Sequence, residues 1–360
     1  MHGHDRRPAL GRVRAAGEAG SGPPHAVVVA GVTNTTTARL STTRGTVRAV
    51  DCFGGWGGFT AGAEDAGVEV VWAANHWPVA VQVHELNHPR TAHACQDLRQ
   101  ADWTALPDFE LLLASPACQG HSTASQPRRR RYHDAMRGTA WAVVDCADVT
   151  SPKAIVVENV PAFLRWRLFP EWAGALEALG YRLDVRQLTA SRFGVPQRRT
   201  RLFVIATRGV EVPQLPESPT EPAFAPCLEP DDTHPWLAVS AAPAGVQARI
   251  ARSAARHGPR FLTQHTTDHT GTPLHEPIRT ITTAACHWNL VDGDRYRPLS
   301  GRELARGMGF PDSYTWPAGL PNTVVTKGVG NAVPPPLAAA VVGAVADAVT
   351  TAPRRPRRTM

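Results

Sequence analysis

Two short apolar runs in this chain end in residues able to do chemistry. Glu110-Leu111-Leu112-Leu113-Ala114 leads into Ser115-Pro116-Ala117-Cys118-Gln119-Gly120-His121-Ser122, and Ala154-Ile155-Val156-Val157 ends in Glu158-Asn159-Val160. Each run reads as a buried strand, which puts the thiol and the carboxyl at the carboxyl edge of a sheet, where open α/β folds bind ligands. A cysteine there is commonly a small packed residue. A carboxyl facing the same pocket changes that reading, because an attacking thiolate and a proton donor are the minimum set for covalent catalysis. Arg128-Arg129-Arg130-Arg131 follows a few residues after Cys118, and Gln197-Arg198-Arg199-Thr200-Arg201 precedes another apolar run. An arginine run is often only a solvated surface; beside a nucleophile it points to a polyanionic substrate.

A third feature is the turn Asp51-Cys52-Phe53-Gly54-Gly55-Trp56-Gly57-Gly58-Phe59. A glycine-rich turn between a strand and a helix lets a ligand approach the backbone at a helix N-terminus. It does not fit the dinucleotide fingerprint. Gly55-x-Gly57 is followed by Thr60, and the next strand ends in Ala73-Ala74-Asn75-His76-Trp77 with no acid for a ribose. A nicotinamide is disfavoured and another adenosine-containing cofactor stays open.

These features need a frame. Strands are expected at Thr46–Cys52, Val68–Ala74, Glu110–Ala114, Ala154–Glu158, Arg182–Leu188 and Leu202–Thr207, and helices at Phe59–Ala66, Pro78–Asn87, Thr139–Val149 and Trp172–Leu179. The alternation predicts a doubly wound, mainly parallel α/β sheet. It stops at Arg208. Pro-rich segments with no long periodic element run to about Gly271, and a small irregular domain is expected over 208–290. Helices at Leu299–Met308 and Leu337–Val349 return the chain to the first domain over 291–350. Residues 1–45 lack a sustained period and read as a flexible segment, and 351–360 as a basic tail.

At 360 residues, with 42% hydrophobic and 19% charged residues and a mean hydropathy of −0.23, the chain is outside the range of collagen, coiled coils and wholesale disorder. No run approaches ~18 apolar residues, so no membrane span is expected. The first 45 residues lack a continuous apolar stretch before a cleavage site, which disfavours secretion. The six cysteines include no Cys-x-x-Cys pair, which fits a reduced, cytoplasmic setting. The net charge of +7 is unevenly spread. Residues 1–48 carry seven arginines against Asp5 and Glu18, a net +5; Arg354, Arg355, Arg357 and Arg358 add +4; the body over 49–350 is left at −2. Any nucleic-acid surface must therefore be a local patch. His265, His269, His275 and His287 sit in a Thr- and Pro-rich stretch and read as loop histidines rather than zinc ligands, so no metal is expected.

Taken in order, Phe53-Gly54-Gly55-Trp56-Gly57-Gly58, Pro116-Ala117-Cys118-Gln119, Glu158-Asn159-Val160, Gln197-Arg198-Arg199-Thr200-Arg201 and Gly330-Asn331-Ala332-Val333 resemble the ordered motif set of the DNA cytosine 5-methyltransferases, over about Val47 to Val345. The resemblance implies a class I, Rossmann-like methyltransferase fold with a target-recognition domain, acting on cytosine flipped out of double-stranded DNA. It implies that Cys118 attacks carbon 6 of the ring, that Glu158 assists at N3, and that S-adenosylmethionine supplies the methyl group to carbon 5. Arg201 matches the arginine that binds the cytosine carbonyl and Arg199 one that steadies the catalytic loop. The cofactor would be held by Phe53, Trp56, Gly54, Gly55, Gly57, Gly58, His76, Trp77, Asp97, Leu98 and Asn331. Gln119, Ser122 and Arg128 to Arg131 would close on DNA. Pro298-Leu299-Ser300-Gly301-Arg302-Glu303 and Gly309-Phe310-Pro311 resemble the motif that organises the recognition domain. A monomer with a cognate restriction endonuclease is the expected setting.

The chain departs from the family pattern at three places. His76 stands where the family usually has the Glu that binds the ribose hydroxyls, Ala117 where it has Pro, and His121 where it has an apolar residue. An imidazole can still hydrogen-bond a ribose. The alternatives are the same chemistry on tRNA, a modified cofactor, or a DNA-binding descendant without turnover; Cys118, Glu158 and Arg201 speak against the last. The DNA sequence recognised is not legible.

Overall fold

A computed structural model describes residues 46–117, 138–265, 269–284 and 287–351. Its main sheet holds β1 (Arg48–Cys52), β2 (Glu69–Asn75), β3 (Ala92–Cys95), β4 (Leu111–Ala114), β5 (Ala154–Asn159), β6 (Arg182–Thr189) and, after a two-residue β7 (Gln197–Arg198), β8 (Thr200–Thr207). The order is β3-β2-β1-β4-β5-β8-β6. The first five strands are parallel; β8 is antiparallel to both β5 and β6. The expected mainly parallel sheet is present, with an antiparallel pair at one side.

The apolar runs form strands because both of their faces are covered. Leu111 and Leu113 face one core with Ala49 and Val156, while Leu112 and Ala114 face another with Val50 and Val157. Helices α1 (Gly58–Asp65), α2 (Pro78–Asn87), α3 (Trp141–Thr150) and α4 (Phe169–Ala178) connect the strands. Burying each of those leucines stabilises the fold by roughly 1.5–3 kcal/mol.

Residues 208–290 are more regular than their composition suggests. They carry β9 (Leu237–Ala238), α5 (Ala244–His257), β10 (Arg260–Gln264), β11 (Thr272–Pro273), β12 (Ile278–Arg279) and the start of β13 (Trp288–Asp292). Val246, Ile250 and Ala254 recur every four residues and face Phe261 and Val291, but the alanines and arginines between them mask the stripe. The five-stranded sheet, ordered β11-β10-β13-β14-β9, also takes in β14 (Arg295–Pro298), so this sheet extends past residue 290.

The chain returns through α6 (Gly301–Met308), α7 (Asn322–Asn331) and α8 (Pro335–Thr351). α6 starts in a capping box between Ser300 and Glu303. Glu303 is fully buried against Arg297, with Nη2 and Nη1 at 2.7 and 2.9 Å, and also accepts the backbone N–H of Glu229 at 3.0 Å. The stretch Asn322–Thr351 is long and apolar enough to cross a membrane by length and composition alone, but 61% of that window is buried inside the fold. α8 packs on α1 so closely that a Cβ on Gly62 would stand 2.5 Å from that of Ala338.

Candidate active site

The glycine turn is held by backbone geometry. The Gly54 N–H donates to the Ala74 carbonyl of β2 at 3.0 Å and the Gly57 N–H to the Gly54 carbonyl at 2.8 Å. Phe53 takes φ 67°, a rare conformation for a bulky residue, and Gly55 takes φ 54°. Gly57 and Gly58 serve packing. A side chain at Gly57 would run into the Tyr314 hydroxyl and His88, and one at Gly58 into the Val333 carbonyl.

Phe53, Gly55, Trp56, His76, Trp77, Asp97, Leu98, Glu158 and Asn331 line one cleft of about 240 Å³. The structure thus brings together residues that lie up to 278 positions apart. Asn75 sets the turn after β2 by accepting the Trp77 N–H at 2.9 Å, and that turn leaves His76 exposed. Trp56 is buried rather than open, its indole against Gly328 and its carbonyl accepting the Tyr314 hydroxyl. Asp97 is engaged by Arg99 at 2.5 Å; those bonds hold its carboxyl below the usual range, with His76 adding to the effect.

Lys327, Arg99 and Thr139 also line the cleft. No local pattern in the sequence marks them. Lys327 sits in a helix among Gly and Val, and its ammonium lies 4.5 Å from the Trp77 ring centre. Thr139 holds the stem after β4, its hydroxyl accepting the Ala117 N–H at 3.1 Å. A larger hollow of about 370 Å³ lies by β6, where Arg182 pairs with Glu211 and Arg186 with Asp184, so its charges are already satisfied.

Glu158 ends β5, beside the exit of β4, with Val157 in register with Ala114. Its carboxyl is buried and its Oε1 lies 3.0 Å from Arg201 Nε. Burial pushes the carboxyl above its ordinary range, while Arg201 and then Arg199 pull it back. The result is an acid able to donate, held by a cation in a fixed place. Asn159 supports the same edge, donating to the Pro116 carbonyl at 3.0 Å.

Arg199 does not line the cleft. It is buried and donates to the carbonyls of Ile281 at 2.9 Å, Gly330 at 2.8 Å and Ala332 at 3.3 Å. It ties the start of β8 to the second domain and to the segment carrying Asn331. Gly54 meets a smaller hollow with His84 and His93. Cys118, Gln119, Ser122 and Arg128 to Arg131 lie outside the described residues, as does His121. Of the four histidines considered as ligands, His269 accepts the N–H groups of Gln264 and Gly271 on Nδ1, at 3.1 and 3.3 Å, which occupies that lone pair.

Comparison with known proteins agrees with this arrangement. The description of C-5 cytosine-specific DNA methylases matches residues 47–230 and 233–347. The chain is 27% identical over 295 residues to the type II methyltransferase M.NgoBI of Neisseria gonorrhoeae, covering 81% of this chain and 90% of that protein. It is 29% identical over 191 residues to DNA (cytosine-5)-methyltransferase 1 of Rattus norvegicus, covering 48% of this chain but only 12% of the rat protein. For the type II methyltransferase M.AgeI of Thalassovita gelatinovora the identity is 30% over 169 residues, covering 44% of this chain and 39% of that protein. The solved structure of the Entamoeba histolytica methyltransferase EhMeth shares the fold, with a TM-score of 0.62 at 16% identity over 84% of this chain and 99% of that one. With most of its length matched in two long segments, the chain belongs to the C-5 cytosine-specific DNA methylase family.

Proposed function

We propose that this chain methylates carbon 5 of cytosine in double-stranded DNA, through a covalent bond between Cys118 and carbon 6. The observation that carries the reading is Glu158: a buried carboxyl, held by Arg201, in the same cleft as the glycine turn and at the strand edge next to the end of β4.

Members of this family take their methyl group from S-adenosylmethionine. The cleft suits that molecule. Phe53, Trp77 and Leu98 supply apolar walls for a flat base, and Asp97 an acceptor for its amino group. Ser115 Oγ is buried at the cleft with no hydrogen-bond partner among the described residues, as is Trp56 Nε1. His76 stands where a ribose would be met, and the turn over Gly55 opens on the N-terminus of α1, which favours a carboxylate. Bound there, the cofactor supplies an electrophilic methyl group.

On the substrate side, Cys118 as a thiolate forms the bond to carbon 6. Glu158 gives its proton to N3 as that bond forms, so the ring's electrons reach carbon 5 without leaving charge on the base. Arg201 holds Glu158 and offers a fixed cation to the cytosine carbonyl. Once carbon 5 carries the methyl group, its proton passes to water, carbon 6 releases the Cys118 thiolate, and N3 returns its proton to Glu158. Swinging the base out costs roughly a few kcal/mol, offset by contacts in the pocket. Gln119, Ser122 and Arg128 to Arg131 would contact the DNA, and the domain over 208–290 would read its sequence. The proposal includes a monomer working beside a cognate endonuclease; the type II designation of the relatives supports the endonuclease.

The test is mass spectrometry of nucleosides from unmethylated DNA incubated with the protein and S-adenosylmethionine, with Cys118→Ala as control. A 5-methylcytosine signal that disappears in the variant is the expected result. A signal on tRNA and none on DNA would move the activity to RNA, and a signal surviving in Cys118→Ala would remove the covalent step.

A further inference from the structure

Four polar side chains that the proposed reaction does not use are bonded in line against the glycine turn. Thr60 Oγ1 lies 2.8 Å from Asp51 Oδ2, His84 Nε2 lies 3.0 Å from Thr60 Oγ1, and His93 Nε2 lies 2.8 Å from His84 Nδ1. Asp51, Thr60 and His84 are buried, and His93 is half-buried. The line touches the turn itself. A Cβ on Gly54 would stand 3.2 Å from His84 Nε2 and 3.3 Å from Asp51 Oδ2.

Hydrogen counting fixes the direction of each bond. Thr60 has one hydroxyl proton, and against a carboxylate it must donate it. Its oxygen then accepts from His84 Nε2–H, which leaves His84 Nδ1 to accept from His93 Nε2–H. The ring nitrogen left over is His93 Nδ1, at the more exposed end. The Thr91 carbonyl faces that ring and favours a proton on it. At the other end, Asp51 Oδ1 is buried with no partner among the described residues, so the carboxylate charge is poorly satisfied.

Resting on the cofactor reading above, we propose that His93, His84 and Thr60 relay a proton between solvent and Asp51, and so set the charge beneath the cofactor turn. A proton binding His93 Nδ1 lets the Nε2 proton of His93 pass to His84 Nδ1. The Nε2 proton of His84 then passes to Thr60, and the Thr60 hydroxyl proton to Asp51 Oδ2. Every bond survives with its direction reversed, and the one added proton neutralises the carboxylate. Burial pushes the Asp51 carboxyl up to about 7, against the opposing pull of Thr60, so the exchange falls near neutrality. Both histidines are held below their ordinary values, first by burial, and rest uncharged at that pH.

The other titratable groups facing the line are Cys52 on β1, Glu64 on α1, Glu85 on α2, His88 just after α2, and Tyr314. His88 lies 4.6 Å from the His84 ring but is bonded to Glu64 at 2.9 Å and to Tyr314 at 3.2 Å, so it stands beside the relay. Glu85 faces His93 and favours its protonated form, while a charge on His88 opposes one on His84. Asp51 in turn raises the Cys52 thiol, behind the larger effects of Cys146 and burial.

S-adenosylmethionine carries a sulfonium charge that its product, S-adenosylhomocysteine, lacks, and the two share an amino-acid end whose titration cancels in a ratio. Calorimetry with the full chain at pH 8.5 and 5.5 should therefore show affinity for the cofactor falling roughly tenfold relative to the product on acidification, the order of one charge–charge interaction through a partly screened interior. In Asp51→Asn that fall should be severalfold smaller, leaving only what the titratable groups lining the cleft contribute. A flat ratio in the unmodified chain, or an equal fall in Asp51→Asn, overturns the charge assignment. The relay itself is read in the unliganded protein, from the infrared band of a protonated carboxyl after a pH jump. That band should form at least tenfold more slowly in His93→Phe and in Thr60→Val, to an extent His93→Phe leaves unchanged. Unaltered rates in both variants overturn the relay. Should neither ligand bind at pH 8.5, the cofactor reading falls while the infrared experiment still decides this one.

Discussion

Glu158 is useful because two opposing influences act on one carboxyl. Burial favours its protonated form and the Arg201 guanidinium at 3.0 Å opposes this. Glu158→Gln keeps the shape and loses the transferable proton, so kcat should fall by roughly 10²–10⁴ while cofactor affinity holds. Arg201→Met removes the larger of the two cationic influences. The Glu158 carboxyl should then rise further, and the limb of the kcat/KM profile that reports it should move to higher pH. A limb that stays in place or moves down would mean that the ion pair does not control the acid. At this scale the sequence was informative wherever a residue followed an apolar strand: Glu158, Phe53, His76 and Trp77 all meet in the cleft, and Asp97, named only by the family resemblance, meets them there. Lys327 escaped notice because nothing around it in the chain is distinctive. Gly57 and Gly58 were read as passing under the cofactor; the space on their Cβ side is held by Tyr314, His88 and Val333, so neither position has room for a larger residue.

The elements of the main sheet were legible because each is a run of residues buried on both sides, a pattern that local composition reveals. Those of the second domain were not. β9, β11 and β12 are two residues long, and α5 draws its buried face from only a few apolar side chains. Their stability comes from pairing with distant partners. α6, expected from the sequence and part of the return to the main sheet, depends at its start on Glu303, whose charge is matched by Arg297 with both side chains fully buried. Arg297→Met would strand that carboxylate, and a loss of roughly 3–5 kcal/mol is expected, read as a lowered C_m in urea unfolding. Thr139→Val is a milder case. Losing the hydroxyl that accepts the Ala117 N–H should cost about 1 kcal/mol and slow turnover without weakening cofactor binding.

Across the whole molecule, two devices join the domains. β7 pairs in parallel with β12, Gln197 opposite Ile278, and Arg199 bonds the carbonyls of Ile281 and Gly330. The second domain also carries an acid sensitivity. Burial, then Arg279, Arg249 and the neighbouring histidines, push His269 down to about 4. An imidazole with a lowered folded value contributes stability that is complete above its unfolded value near 6.5 and is lost as pH falls from there towards 4. Asp51 has the opposite sign: with a folded value near 7, its contribution is greatest below about 4 and is lost as pH rises towards 7. The bare acid dependence is thus a sum of opposed parts, and a difference isolates one of them. The gap in Tm between the unmodified chain and His269→Gln should narrow or reverse between pH 7 and pH 4.5; a constant gap would show that His269 is not the sensor.

The contact between α1 and α8 also has a temporal side. Gly62 of α1 admits Ala338 of α8, and beside them Gly58 lies under Val333 while Trp56, just before α1, rests on Gly328 of α7. Ala338 leaves the ribosome 276 positions after Gly62. At ~5–20 residues per second, the first turn of the nascent chain waits roughly 15–55 s for the helix that closes it. Throughout that interval an apolar flank of α1 has no partner within the polypeptide yet made. A message cut short before α8 would leave it so permanently, releasing a chain with nearly all its chemistry encoded and an open seam for chaperones and proteases to find.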